Sequence, residues 1–176
     1  MRLIPTAALV LAAMTIGVNE ARAQMSVSIA AGAALPMGDA SDALSMGYNA
    51  TVGLGIKPPL APVGLRVEGM FNSWDYKSDF SSLGLNSQRT MALIANATLS
   101  GPAMPAYLIG GVGMYNSKVD TDAGASDAEN DFGFNIGGGV NLPLTGFSTF
   151  LEVRYHHIPV DGGAFKFVPI TVGIKF

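Results

Sequence analysis

The sequence predicts an all-β protein: an eight-stranded antiparallel up-and-down transmembrane β-barrel preceded by a short export segment. Three observations predict it. Charged residues make up only 13% of the 176-residue chain, while hydrophobic residues reach 49%; an ordinary soluble domain carries ~25% charge on its surface and in its loops. Eight segments alternate apolar with small or polar residues, the period-2 mark of a strand with two unlike faces. Each has about 9–11 residues, the length a tilted strand needs to cross a bilayer.

Residues 1–23 read as a cleavable signal peptide and 24–176 as the barrel domain. Arg2 is a positive start, Leu3 to Val18 an uncharged, mostly apolar run, and Ala21-Arg22-Ala23 a small-x-small cleavage triplet before Gln24. The alternative, a membrane-anchor helix, is disfavoured because the run is short for a span of ~20 residues. Of the 10 basic and 13 acidic residues, Arg2, Arg22 and Glu20 fall in this segment, leaving 8 and 12, a net of −4.

The strands follow in order. The first, near 25–35, sets Val27, Ile29, Ala31, Ala33 and Leu35 against Ser26, Ser28, Ala30, Gly32 and Ala34. The second, 47–56, sets Tyr48, Ala50, Val52, Leu54 and Ile56 against Gly47, Asn49, Thr51, Gly53 and Gly55. The third, 64–74, contains Leu65-Arg66-Val67-Glu68. The fourth, 88–99, opposes Met91, Leu93, Ala95, Ala97 and Leu99 to Thr90, Ala92, Asn96 and Thr98, with Ile94 as an exception. The uncharged run 90–117 is a poor helix because it holds Gly101, Pro102, Pro105, Gly110, Gly111 and Gly113; it reads as two strands about a Gly-Pro turn, the second at 106–117. The sixth, 131–142, sets Phe132, Phe134, Ile136, Val140 and Leu142 against Gly133, Asn135, Gly137, Gly139 and Asn141. The seventh, 147–157, contains Leu151-Glu152-Val153-Arg154, and the eighth, 166–176, sets Val168, Ile170, Val172, Ile174 and Phe176 against Pro169, Thr171, Gly173 and Lys175. Pro169 removes a ladder donor and predicts a bulge.

One face of every strand is thus apolar and suits lipid. Strands in lipid can leave no open edge, which requires closure. Connections at 36–46, 57–63, 75–87, 100–105, 118–130, 143–146 and 158–165 alternate long and short, as expected for extracellular loops and periplasmic turns. Acidic residues gather in or beside the long ones: Asp39, Asp42, Asp75, Asp79, Asp120, Asp122, Asp127, Glu129, Asp131 and Asp161. Tyr48, Trp74, Tyr76, Tyr115 and Tyr155, with Phe132, Phe165 and Phe167, are expected to form an outer interfacial belt, and Tyr107 an inner one.

The charges in the third and seventh strands are the informative ones. By parity Arg66, Glu68, Glu152 and Arg154 face the lumen, since a charge at the lipid midplane costs ~2–4 kcal/mol. The order of charge is reversed between the two strands, which stand opposite each other in an eight-stranded barrel. Arg66 is expected to pair with Glu152, and Glu68 with Arg154, across a lumen only wide enough for side chains. A structural plug is favoured over a gated ion path. Lys175 points inward near the periplasmic mouth; Arg89 and Lys166 have lipid-facing parity at the outer rim, where they can snorkel or meet lipopolysaccharide phosphates.

The last ten residues, 167–176, alternate apolar residues up to a terminal Phe and resemble the closing strand of outer-membrane barrel proteins. Tyr107-Leu-Ile-Gly-Gly-Val-Gly-Met-Tyr115 and Gly133-Phe-Asn-Ile-Gly-Gly-Gly-Val140 resemble inner strands of the same superfamily, which includes the opacity-type and OmpA/OmpX-type domains. The resemblance implies residence in the outer membrane among lipid and lipopolysaccharide, and Phe176 as a signal for the barrel-assembly machinery. Lumen Arg/Glu pairs occur in such barrels, a role matched by Arg66, Glu68, Glu152 and Arg154.

Other chemistry is scarce. There is no cysteine, so disulfides and thiolate metal sites are excluded. A net charge of −3 offers no field for nucleic acid. His156 and His157 are adjacent in a strand and point to opposite faces, which argues against a shared metal and for an isolated rim histidine. No serine suggests a partner for a lipid-modifying active site. The acidic run 120–131 does not have EF-hand spacing. No cofactor and no catalytic residue is expected. The favoured function is a non-enzymatic envelope or surface barrel that meets host or surface ligands through its loops; the alternative is a narrow passive conduit for ions or small apolar molecules, as in OmpW-like barrels. A soluble lipocalin-like barrel would reverse the faces. N-terminal sequencing of the exported protein should begin at Gln24; a start at or near Met1 would mean the segment is an anchor.

Overall fold

The computed structural model describes residues 24–58, 61–101, 104–122, 124–145 and 147–176. The expected signal peptide 1–23, with Ala23 on one side of the cleavage point, lies outside the described residues; Gln24 opens the first strand. In chain order the elements are β1 (Gln24–Met37), α1 (Ala40–Ala43), β2 (Gly47–Lys57), β3 (Val63–Asp75), α2 (Ser78–Ser81), β4 (Leu85–Leu99), β5 (Ala106–Thr121), β6 (Gly124–Ala125), β7 (Glu129–Pro143), β8 (Ser148–Val160) and β9 (Gly163–Lys175). The sheet runs β4-β3-β2-β1-β9-β8-β7-β5, and β4 pairs with β5, which closes it. Every pairing is antiparallel, so eight strands form a closed up-and-down barrel. The two-residue β6 only folds back on the end of β5.

The alternation sets burial, and the sense is inverted relative to a soluble protein. Val52, Leu54, Leu65, Leu93, Val112, Ile136 and Val172 point outward and are exposed, while Asn49, Glu68, Asn72, Thr90, Asn96, Asn135, Glu152, Arg154 and Thr171 are buried in the lumen. An apolar exterior around a polar interior is favourable only where the exterior meets lipid. Closure rests on β1 and β9, registered from Ser28 opposite Lys175 to Met37 opposite Lys166. Phe176 adds a reciprocal backbone pair: its N–H donates to Val27 O at 2.9 Å, and Val27 N–H donates to Phe176 O at 3.1 Å.

Several sequence expectations need correction. The strands run further outward than the apolar pattern does: β5 reaches Thr121, β7 starts at Glu129, and β8 and β9 meet across Asp161-Gly162 alone. The expected loop 158–165 is therefore a tight hairpin, with Gly162 at φ 82°, a left-handed conformation that glycine adopts without strain. Ladder hydrogen bonds do not end where lipid ends, and beyond the membrane a strand needs no apolar face. Single helical turns at α1 and α2 sit within the two longest outer connections, too short to give a periodic signal.

Pro169 causes no bulge. Pairing between β8 and β9 is interrupted after Val153–Ile170 and resumes at His156–Phe167 in the same register. The missing donor leaves a gap in the ladder while the proline ring is buried on the lumen side.

The aromatic belt is divided. Tyr48 and Phe132 are exposed on the outer wall, at 58% and 72%. Trp74, Tyr115 and Phe167 are buried, and they pack with Ala34, Leu44, Met70, Ile94 and Ile158 inside the extracellular half of the barrel; Phe165 and Tyr76 pack against this cluster. Trp74 Nε1 donates to Ala34 O at 3.0 Å, and its ring meets the edges of Phe165 and Phe167 with centroids 5.3 and 5.1 Å away. Tyr107 is likewise buried in the lumen. Proximity to a rim was the wrong guide. Trp74 shares the parity of Arg66 and Glu68, and Tyr107 and Tyr115 share that of Gly111. Ile94, the exception to its strand's pattern, is the apolar lumen residue that β4 contributes to the cluster. From the loop after β1, Leu44 pairs with Tyr76 and closes the cluster from above.

Trp74 is the chain's one tryptophan, so its fluorescence reports this layer alone. In vesicles of brominated phospholipid its emission should be quenched by less than about a tenth; strong quenching would put the indole on the lipid face.

Candidate functional site: the lumen

Below the apolar cluster lies a ring of four charges. β3 supplies Arg66 and Glu68, two residues apart and so on one face; β8 supplies Glu152 and Arg154 in the same way. Arg66 Nη2 donates to both oxygens of Glu152, at 2.8 and 2.7 Å. Arg154 Nη1 donates to Glu68 Oε2 at 2.6 Å. Within each strand the charges also meet: Arg154 Nε is 2.9 Å from Glu152 Oε1, and Arg66 Nε is 3.0 Å from Glu68 Oε1. The last contact is within ion-pair reach but off the hydrogen-bond axis, since Arg66 Nε has no hydrogen-bonded partner. The result is a cycle in which each guanidinium touches both carboxylates and each carboxylate both guanidiniums. Its net charge is zero.

Neighbouring strands complete the cycle. Tyr107 Oη donates to Glu152 Oε2 at 2.6 Å, and Asn96 Nδ2 donates to Glu68 Oε2 at 2.7 Å. Asn135 Nδ2 in turn donates to Asn96 Oδ1 at 2.9 Å. Glu68, Glu152 and Arg154 are 2–3% exposed, and Arg66, on the periplasmic side, 12%. Such burial is tolerable only because every charge is both paired and hydrogen-bonded. Glycine makes the room: a Cβ at Gly139 would lie 2.6 Å from Tyr107 Cζ, and one at Gly137 2.7 Å from Arg154 Cα. The sequence pattern alone does not mark Tyr107, Asn96 and Asn135 as partners of the charges. It carries only their facing, since each shares the inward parity of its own strand.

His156 is no rim histidine. It is fully buried, stacked on Phe167 with centroids 4.7 Å apart and planes 12° apart, and its Nδ1 is 2.9 Å from Tyr115 Oη. Its Nε2 has no hydrogen-bond partner. His157 points the other way, outward, where it stacks on Phe134 at 5.0 Å and lies 3.3 Å from Tyr155 Oη. At the extracellular end Arg89 Nη2 donates to Asp120 Oδ1 at 2.5 Å. This hydrogen bond is the chief reason the Asp120 carboxyl ionises below its ordinary range. The small contribution of such an exposed pair is present at neutral pH and is lost as pH falls through the lowered value. Among the described residues no group of three or more His, Asp or Glu side chains is arranged to hold a metal.

Breaking the cycle should be costly. Arg154→Met leaves Glu68 and Glu152 with one guanidinium between them, and the loss expected for an uncompensated buried charge is about 3–5 kcal/mol. Tyr107→Phe removes one donor to a carboxylate and should cost about 1–3 kcal/mol. Equilibrium unfolding in lipid vesicles, followed by Trp74 emission, checks both values.

The arrangement agrees with comparisons to known proteins. Residues 4–176 match the family model described as outer membrane protein beta-barrel domain. No curated protein sequence matches the chain. Among solved structures, Neisserial surface protein A superposes with a TM-score of 0.68 at 15% identity, over 87% of this chain and 97% of that one. Ail of Yersinia pestis, in complex with the heparin analogue sucrose octasulfate, gives 0.55 at 15% identity, over 88% of this chain and 99% of that one. The N-terminal β-barrel domain of Pseudomonas aeruginosa OprF gives 0.51 at 15% identity, over 88% and 100%. With its closed sheet, lipid-facing exterior and polar lumen, the chain belongs to the outer membrane protein beta-barrel domain family and is a protein of the outer membrane.

Proposed function

We propose that the protein is a non-enzymatic envelope barrel with a closed lumen, acting through its stability in the membrane and through contacts made by its extracellular loops. The observation that carries this reading is the stack of two blocking layers. The charge cycle of Arg66, Glu68, Glu152 and Arg154 spans from β3 to β8, and the cluster around Trp74, Tyr115 and Phe167 fills the barrel above it. An ion crossing would have to separate charges held at 2.6–2.9 Å and then pass a layer packed mainly with apolar side chains around Trp74, Tyr115 and Phe167. In this reading Phe176 and the lipid-facing row before it are the features that the barrel-assembly machinery reads.

The charge of the loops supports one class of surface ligand over another. Their side of the barrel carries ten acidic residues, Asp39, Asp42, Asp75, Asp79, Asp120, Asp122, Asp127, Glu129, Asp131 and Asp161, against Lys77, Arg89, Lys118 and Lys166. Ail was captured with a sulfated polyanion; the acidic surface here would repel one and favours a basic or neutral ligand. The second reading, a passive conduit, draws on the half-open lumen below Arg66, where a cavity reaches in from the short-turn side. Planar-bilayer recording separates the two. Purified protein should give no sustained openings, and neither should Arg154→Met, which loosens the cycle and leaves the layer around Trp74 in place. Steady stepwise conductance from the unaltered protein would overturn the closed-barrel reading.

A further inference from the structure

Below the charge cycle the lumen widens into a vestibule of about 450 Å³, within the ~300–1,000 Å³ range of small-molecule pockets. It opens at the end where the connections are short, the periplasmic end. Its wall includes Lys57, Lys175, Arg66, Ser26, Ser100 and Asn141, and no Asp or Glu. The three connections on this side, 58–62, 100–105 and 144–147, contain no acidic residue either. Almost all the protein's carboxylates lie at the other end or in the cycle.

Arg66 is already shared between Glu68 and Glu152. The two lysines are not so compensated. Lys57 donates to Ser100 Oγ at 2.5 Å, and Lys175 to Asn141 Oδ1 at 3.2 Å. Among the described residues neither has a carboxylate side chain within ion-pair distance. Topology brings them together: β2 and β9 both flank β1, with Lys57 opposite Gln24 and Lys175 opposite Ser28. Ser26, which shares their inward parity, lies between those two positions on β1. Both lysines are half-buried, so their stems rest on the wall while two like charges share one concavity. That is an unfavourable arrangement for an empty cavity and a favourable one around an anion.

We propose that this vestibule binds a small multivalent oxyanion of the phosphate class, taken from the periplasm and held between Lys57 and Lys175 with the hydroxyls of Ser26 and Ser100 as further donors. The inward aim of both lysines separates the site from the lipid headgroups outside the wall. It is independent of whether the lumen above conducts.

The test uses the full chain refolded in phosphate-free maltoside micelles and titrated calorimetrically with pyrophosphate. Saturable one-site binding is expected, weakened at least tenfold in Lys57→Gln and in Lys175→Gln and retained in Lys57→Arg and Lys175→Arg. Lys118→Gln, at the opposite end, should bind as the unaltered protein does. Folding of each variant is read from heat-modifiable migration on a gel. Absence of saturable binding, or unchanged affinity when both lysines are glutamine, would overturn the site. A second titration in nanodiscs tests the source of the anion. Binding that survives added phosphatidylglycerol supports a free periplasmic anion, and binding that phosphatidylglycerol abolishes would reassign the lysines to lipid headgroups and sink the proposal.

Discussion

The structure depends on the requirement that no backbone N–H or C=O be left without a partner in hydrocarbon. An antiparallel sheet meets it only when the last strand finds the first. Here that is the β1–β9 ladder, extended by the reciprocal bonds of Val27 and Phe176. Closure then dictates everything else about the side chains. With eight strands the lumen is narrow, so half of all strand residues face a space that admits side chains and little more. The outer half must be apolar, and the inner half must satisfy itself.

The chain satisfies its interior in two ways at two depths. At the level of β3 residues 66–68 it uses charge: two Arg and two Glu neutralise one another, with Tyr107 and Asn96 taking up remaining acceptor capacity. Nearer the extracellular mouth it uses packing: Trp74, Tyr115, Phe167 and Ile94 form a small hydrophobic core of the kind a soluble protein has, turned inside a lipid-facing wall. His156 joins the two depths, since it stacks on Phe167, its register partner on β9, and neighbours Arg154 along its strand.

Much of this was legible in the sequence, because a period of two is all that a barrel strand needs. Strand number, facing and the four lumen charges follow from parity at Arg66, Glu68, Glu152 and Arg154. The failures have a common cause. Nearness to a rim misplaces Trp74, Tyr115 and Phe167, whereas their strands' own alternation aims them inward. The apolar pattern marks strand ends only as far as lipid reaches, and β5 and β7 go on pairing in water through polar residues such as Asp120 and Glu129, for which lipid sets no rule. Pro169 removes a donor without adding a residue, so it interrupts the ladder while register is kept. The vestibule is not legible in the sequence, because Lys57 and Lys175 stand far apart along the chain and meet only through closure on β1.

The reversed order of charge on β3 and β8 has a further meaning for how the barrel reaches its shape. Sliding one of these strands by two residues, the smallest slip that keeps every side chain on its proper face, would bring Arg66 level with Arg154 or Glu68 level with Glu152. Either mismatch buries like charges together. The lumen therefore acts as a checksum on the shear of the cylinder: the hydrogen-bond ladder tolerates several staggers, and the four charges accept one.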